Sequence, residues 1–217
     1  MNHNIEAFIF DMDGVIIDSE PIHSRVKMDT FHHFNLPFDE ADLIHYMGRT
    51  SGAMFQEVLE KAGRTDITPE ELTDYKHHHY LEVLKSGEIG PVKGTVELIK
   101  GLHEAGIPLA LATSSWPVVV DTVLDVFGIR PYFKSVLSGS ELPASKPDPA
   151  IYRITAERLG VAPAGCVVLE DTKNGILAAK GAGMHCIAYR NPNSGQQDLS
   201  LADRIVEDIC EIKIETL

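Results

Sequence analysis

Ala7-Phe8-Ile9-Phe10-Asp11-Met12-Asp13-Gly14 is the stretch that decides how this chain folds. Four consecutive apolar residues are too few for a helix and show no polar alternation, so they read as a short strand buried on both faces. The run ends abruptly in two carboxylates and a glycine, which puts Asp11 and Asp13 at the strand's carboxyl end. Similar runs recur at 109–112, 135–137, 166–169 and 186–189, the second too short to stand by itself. Between them lie helical patterns at 95–105, 150–159 and 175–182, each stopped by a glycine: Gly106, Gly160 and Gly183. Strands of continuous rather than alternating hydrophobicity, separated by helices, indicate a parallel sheet covered on both faces.

One region breaks the alternation. From about Ser19 to Gly87 there are helical segments at 21–34, 40–47, 53–62 and 69–85 and no convincing strand, and Gly90-Pro91 marks the region's end. The expected architecture is therefore α/β, a Rossmann-like doubly wound parallel sheet core (1–17 and 90–217) with an inserted all-helical cap domain (18–89). The insert follows the first strand directly, over the sheet's carboxyl ends, where open α/β sheets bind ligands.

Composition excludes several classes. With 32 Asp and Glu against 19 Lys and Arg, the net charge is −13. No basic run is present to neutralise a nucleic-acid backbone or to meet an anionic membrane. Apolar residues make up 44% of 217, enough for a real core. The three cysteines show no CxxC pairing and suit a reducing compartment. No basic leader precedes the first apolar run and no stretch of about twenty apolar residues occurs. A cytoplasmic protein, monomeric rather than oligomeric, is expected.

The strand ends carry the chemistry. Asp11 and Asp13, two apart in extended chain, point to the same side and suit either a divalent cation or a nucleophile and acid/base pair. Surface turns also use D-x-D-G, and an EF-hand loop does not fit because Gly14 follows Asp13 at once. Thr113-Ser114-Ser115 ends the second run ahead of a helix near Pro117, as ordinary caps or as anion donors. Lys146 sits in Ser145-Lys146-Pro147-Asp148-Pro149, where a loop lysine usually faces solvent. Glu170-Asp171-Thr172 ends the fourth run, with Asn174-Gly175 opening a helix. Together these features would meet at one sheet edge, and the chemistry that uses such a set is phosphoryl transfer. An attacking carboxylate and a phosphate dianion repel each other, so a cation, a lysine and hydroxyl or amide donors are all needed.

Asp11-Met12-Asp13-Gly14-Val15, Thr113, Lys146-Pro147 and Glu170-Asp171, in that order, resemble the four motifs of the haloacid dehalogenase superfamily. Within it the chain is similar to the β-phosphoglucomutase-like phosphatases and mutases, whose insert is a small helical cap. The resemblance implies that Asp11 is the nucleophile forming an aspartyl-phosphate, and that Asp13 protonates the leaving oxygen and later activates water. It implies that Thr113 binds the phosphoryl group, supplemented by Ser114 and Ser115, and that Lys146 neutralises nucleophile and phosphate. Mg²⁺ would be held by Asp11, the carbonyl of Asp13 and Asp171, with Glu170 at the metal's edge. Superfamily members that cleave carbon–halogen or carbon–phosphorus bonds generally lack an acid at the position of Asp13. Its presence favours a phosphate ester of a small metabolite, since an alkoxide leaving group needs a proton.

The same resemblance makes His23, Arg49 and Lys76 of the cap candidate substrate-binding residues, with Tyr80 beside Lys76. In the mutase an arginine three residues after the cap glycine grips the second phosphate. Here Ser51 holds that place after Gly48, and Arg49 adjoins the glycine. A hydrolase of a sugar phosphate is therefore the first expectation and β-phosphoglucomutase the alternative. A phospho-accepting receiver module is a distant third, because receivers are about half this length, lack a helical insert and place the acceptor Asp after the acidic pair. His77-His78-His79 point in three directions on a helix and cannot share one ion. Trp116, beside Pro117, could stack on a substrate, but packing at the strand–helix turn is the first expectation.

Overall fold

In the computed structural model, which describes residues 5–46 and 50–217, the decisive stretch is strand β1, Ala7–Phe10, buried along its whole length. The later apolar runs become β2 (Leu109–Thr113), β3 (Phe133–Ser138), β4 (Cys166–Glu170) and β5 (His185–Tyr189). A sixth strand, β6 (Arg204–Val206), completes a sheet in the order β3-β2-β1-β4-β5-β6, with every pairing parallel. Continuous burial of β1, β2 and β4 is what two covered faces require. β6 escapes the sequence reading because three residues between Asp203 and Glu207, with Ile205 exposed, carry no run long enough to recognise.

The chain divides into two compact units, Met1–Asp18 with Gly90–Leu217, and Ser19–Ile89. In the first, helices α5 (Thr95–Glu104), α6 (Pro117–Val126), α7 (Ala150–Leu159) and α8 (Lys173–Ala182) connect the strands. α7 and α8 pack side by side over a cluster that includes Ile9, Ala112, Leu137, Val168 and Ile176. Alanines on β1, β2, β5 and α8 keep this layer close. Where the chain leaves and re-enters this unit, Ile17 bridges Pro91 and Val92 N–H donates to the Ile16 carbonyl at 2.9 Å. Those two crossings fix the loop that bears Asp11 and Asp13.

The second unit holds α1 (Glu20–His33), α2 (Glu40–His45), α3 (Ser51–Ala62) and α4 (Pro69–Lys85). Its own core gathers Phe31, Leu43, Met54, Phe55, Val58 and Leu72. α4 opens with a capping box in which Thr68 and Glu71 satisfy each other's backbone N–H groups. Two of the three neighbouring histidines diverge: His78 Nδ1 meets the Asp74 carbonyl, while His79 lies between Asp29 (2.9 Å) and Glu82 (3.3 Å). Among the described residues no helix is long and apolar enough to cross a membrane.

The insert's core predicts its own sensitivity. Phe55 is fully buried and meets Phe31 edge-on at 6.4 Å. Phe55→Ala is expected to cost the insert about 3–5 kcal/mol in chemical denaturation. A loss below about 1 kcal/mol would contradict the packing described.

Candidate active site

The carboxyl ends of β1, β2 and β4 converge. Asp11 extends the ladder beyond Phe10, its N–H donating to the Leu169 carbonyl at 3.0 Å, so it stands beside the end of β4. Lys146 reaches the same point from the β3–α7 connection. Its Nζ donates to Asp11 Oδ1 at 2.6 Å, to Glu170 Oε1 at 2.7 Å and to the Ala112 carbonyl at 3.2 Å. With its side chain only 8% exposed, this lysine is not a solvated loop residue.

Glu170 is fully buried and saturated. Besides Lys146, Oε1 accepts from the Tyr152 hydroxyl at 2.7 Å, and Oε2 accepts from the N–H groups of Asp171 and Thr172 and from Thr172 Oγ1. Gly175, in the first turn of α8, makes room for it: a Cβ there would fall 1.8 Å from the Glu170 carboxyl carbon. Asp13 faces the other way. Its Oδ2 accepts from Ser115 Oγ at 2.5 Å and, more loosely, from Thr113 Oγ1 at 3.5 Å. Ser115 is in turn fixed by the end of β3, its carbonyl accepting from Ser138 Oγ at 2.6 Å. A cavity of about 430 Å³ opens here, lined by Asp11, Asp13, Thr113, Ser114, Lys146 and Thr172 among others.

Asp171 has an asymmetric environment. Oδ2 accepts a short hydrogen bond from Ser194 Oγ, and Gly14 lies so close that a Cβ on it would sit 1.9 Å from that oxygen. Gly14 also adopts φ +77°, so both the backbone and the contact demand glycine. Oδ1 is buried with no hydrogen-bond partner.

The charges do not balance. Burial, then the neighbouring Glu170, pushes Asp171 up to about 7 despite the Ser194 hydroxyl. Burial raises Asp11 well above the carboxylate range, with Lys146 opposing and Glu170, Asp171 and Asp13 adding to the rise. Burial would depress Lys146, but the Asp11 and Glu170 carboxylates outweigh it and hold the ammonium charged. Burial would also raise Glu170, yet Lys146 and the hydrogen bonds from Lys146, Tyr152 and Thr172 keep it lowered. A second positive charge is what such a cluster lacks. One oxygen each from Asp11, Glu170 and Asp171 lies within 4.8 Å of the others, all are hard donors, and Asp171 Oδ1 has no partner. The residues fit an oxygen-preferring divalent cation. Because the oxygens of Glu170 already accept five hydrogen bonds and the Asp13 carboxylate turns to Ser115, the side chains of Asp11 and Asp171 are the freest to hold it.

Thr113, Ser114 and Ser115 belong to this site, although the Ser115 hydroxyl is engaged with Asp13 rather than turned to the cavity. Trp116, expected to pack at the turn, takes the extended N-cap position of α6 and is 52% exposed. His23 and Lys76 belong to the insert. The His23 ring stacks on Tyr80 at 4.5 Å and Lys76 Nζ lies 6.0 Å from the same ring. Burial and then Lys76 push His23 down to about 3, and burial and then Lys27 push Lys76 down to about 8. Among the described residues no carboxylate pairs with Lys76. Arg49 lies outside the described residues. Sequence reasoning missed Tyr152, Asn191 and Ser194. The last two could have been found by treating the end of β5 like the other strand ends, since Asn191-Pro192-Asn193-Ser194-Gly195 follows it almost directly.

Residues 8–189 match the haloacid dehalogenase-like hydrolase family. Fructose-1-phosphate phosphatase YqaB of Escherichia coli K12 is 31% identical over 192 residues, covering 88% of this chain and 99% of its own. Hexitol phosphatase B of the same organism is 32% identical over 222 residues, covering 98% and 96%. The crystal structure of CbbY from Rhodobacter sphaeroides in complex with phosphate aligns with a TM-score of 0.80 at 28% identity, over 95% of this chain and 96% of that one.

The raised carboxyls set a pH dependence. An acid whose folded pKa exceeds its unfolded one contributes stability that is present below about 4 and lost as pH rises through the folded value, here about 7 for Asp171. The metal-free protein is therefore expected to melt at lower temperature at pH 8 than at pH 5.5. Asp171→Asn should flatten much of that difference in thermal melts. An unchanged slope would remove Asp171 as its source.

Proposed function

The chain belongs to the haloacid dehalogenase-like hydrolases, and on that premise we propose that it hydrolyses a sugar or sugar-alcohol monophosphate with Mg²⁺ as its cation. It is a phosphoric monoester hydrolase acting through an aspartyl nucleophile. The observation that carries the reading is Lys146 Nζ held within 2.7 Å of both Asp11 and Glu170, with Lys146 and Asp11 in the lining of the cavity. The sugar preference draws on the relatives, one a fructose-1-phosphate phosphatase and another a hexitol phosphatase.

The residues divide the work. An Asp11 carboxylate oxygen attacks phosphorus, and the leaving alkoxide takes a proton from Asp13, which Ser115 holds in place. Asp13 then takes a proton from the water that cleaves the aspartyl-phosphate. Lys146 offsets charge on nucleophile and phosphoryl oxygens, and Thr113 and Ser114 supply donors to those oxygens. Asp11, Asp171 and the Asp13 carbonyl are the proposed metal ligands, with Glu170 behind them. The cation supplies charge neutralisation between the anionic substrate and the attacking carboxylate. In the insert, His23 and Lys76 are proposed to select among esters.

The test is a panel of phosphate esters with Mg²⁺, including β-glucose 1-phosphate with catalytic glucose 1,6-bisphosphate. Phosphate release is expected; formation of glucose 6-phosphate without phosphate release would assign a mutase instead. Asp11→Asn is expected to lower kcat on the order of 10⁴-fold or more with the circular dichroism spectrum unchanged. Asp13→Asn should lower it by about 10²–10⁴-fold. Turnover close to the original in either variant would strip that residue of its role.

A further inference from the structure

The connection between β5 and β6 makes bonds that the reaction above does not use. Asn191 is buried, and its Nδ2 donates to the Gly14 carbonyl at 2.9 Å and to Asp18 Oδ1 at 3.5 Å. Its Oδ1 accepts from Asn193 N–H at 2.8 Å, and Asn193 Nδ2 donates to Asp18 Oδ2 at 2.5 Å. The segment is thereby tied to the loop after β1, next to Asp13. Three residues later Ser194 Oγ donates to Asp171 Oδ2. Gln197 then returns the segment to α8, its Nε2 donating to the Ser194 carbonyl at 2.8 Å and its Oε1 accepting from Lys173 N–H at 3.1 Å. Seven residues of loop thus clamp both acidic strand ends from one side.

The consequence for Asp171 is specific. Its carboxylate is held by Oδ2 against Ser194 and Gly14, and the buried oxygen left without a partner is Oδ1. Ser194 is a neutral donor. A hydroxyl orients the carboxylate without cancelling its charge, whereas an ammonium there would compete with a cation. Among the described residues no lysine or arginine pairs with Asp171, in contrast to Asp11 and Glu170, which share Lys146.

We propose that Ser194 is a positioning residue for the cation, its hydroxyl fixing Asp171 so that Oδ1 is presented as a ligand, with Asn191 anchoring the loop that carries it. This inference rests on the hydrolase reading with its divalent cation. Hydrogen-bond partners of metal ligands commonly govern metal affinity by 10- to 100-fold, and Ser194 occupies that relation to Asp171.

The experiment is calorimetric titration of the metal-free protein with Mg²⁺, alongside Ser194→Ala and Ser194→Thr. Ser194→Ala is expected to bind Mg²⁺ about 10- to 100-fold more weakly, and Ser194→Thr, which keeps the hydroxyl, within about threefold of the original protein. In ester hydrolysis, the Mg²⁺ concentration giving half-maximal rate should rise by the same factor in Ser194→Ala, with kcat recovering at saturating Mg²⁺. If Ser194→Ala does not fold, Ser194→Cys, a weak donor of similar size, carries the same expectation of weakened binding. Equal Mg²⁺ affinity in the alanine variant and the original protein overturns the inference and leaves the hydrolase intact. Equal losses in the alanine and threonine variants overturn it as well, because the hydroxyl is then not the agent. Failure of the original protein to bind Mg²⁺ overturns it together with the metal reading.

Discussion

One buried ammonium holds this site together. Lys146 bridges Asp11 and Glu170 where β1 and β4 end side by side, and it is surrounded by more carboxylate than it can neutralise. Taking such charges out of water is expensive, and a buried pair repays the cost only with good geometry and further hydrogen bonds. Glu170 has those bonds, from Tyr152, Thr172 and the backbone opening α8. Asp11 has only the bond from Lys146 and Asp171 only the one from Ser194, too few to offset burial, which drives both upward. The apolar sheet beneath carries the stability. The edge above it is held in an electrostatically unfavourable state that a bound cation would relieve.

Topology explains why this occurs at β1 and β4. In the order β3-β2-β1-β4-β5-β6 the direction of winding reverses between those two strands, so the segments following them part and leave a crevice at the carboxyl edge. Neighbouring parallel strands lie about 4.8 Å apart, which brings Asp11 and Glu170 within reach of one ammonium. β2 then brings Thr113 and Ser115 to Asp13 from the other flank. The loop beyond β5 brings Ser194 to Asp171. Four strand ends thereby contribute to a single site, although the residues span most of the core's sequence.

Much of this was legible in the sequence. The apolar runs gave five of the six strands, and the helical patterns of the insert gave α1 to α4 with small shifts at their ends. Asp11, Asp13, Thr113, Lys146, Glu170 and Asp171 were legible because each sits immediately beyond a recognisable strand or in a proline-stiffened loop. Tyr152 was not, since an aromatic residue in the first turns of a helix reads as core and only its hydroxyl distinguishes it. β6 was not, because three residues at a sheet edge carry no periodicity. Asn191 and Ser194 bond across about 177 and 23 residues of chain, so their position just beyond β5 is legible but their partners are not. Trp116, read as packing at the turn, is about half exposed at the N-cap of α6, and periodicity gives no sign of the exposure of a residue at that junction.

The distribution of donor types gives the net charge of −13 a sharper meaning. A charged donor, Lys146, serves Asp11 and Glu170, whereas Asp13 and Asp171 are held by the neutral hydroxyls of Ser115 and Ser194. Hydroxyls fix a carboxylate's direction and leave its charge. Phosphoryl transfer needs two positive species that come and go, a proton at the leaving oxygen and a divalent cation beside the phosphate. Of the two carboxylates oriented without being neutralised, Asp13 is the one proposed to pass the proton, and Asp171 is proposed to hold the cation together with Asp11. A lysine in place of either serine would add a fixed positive charge beside the carboxylate and compete with the proton or the cation proposed there.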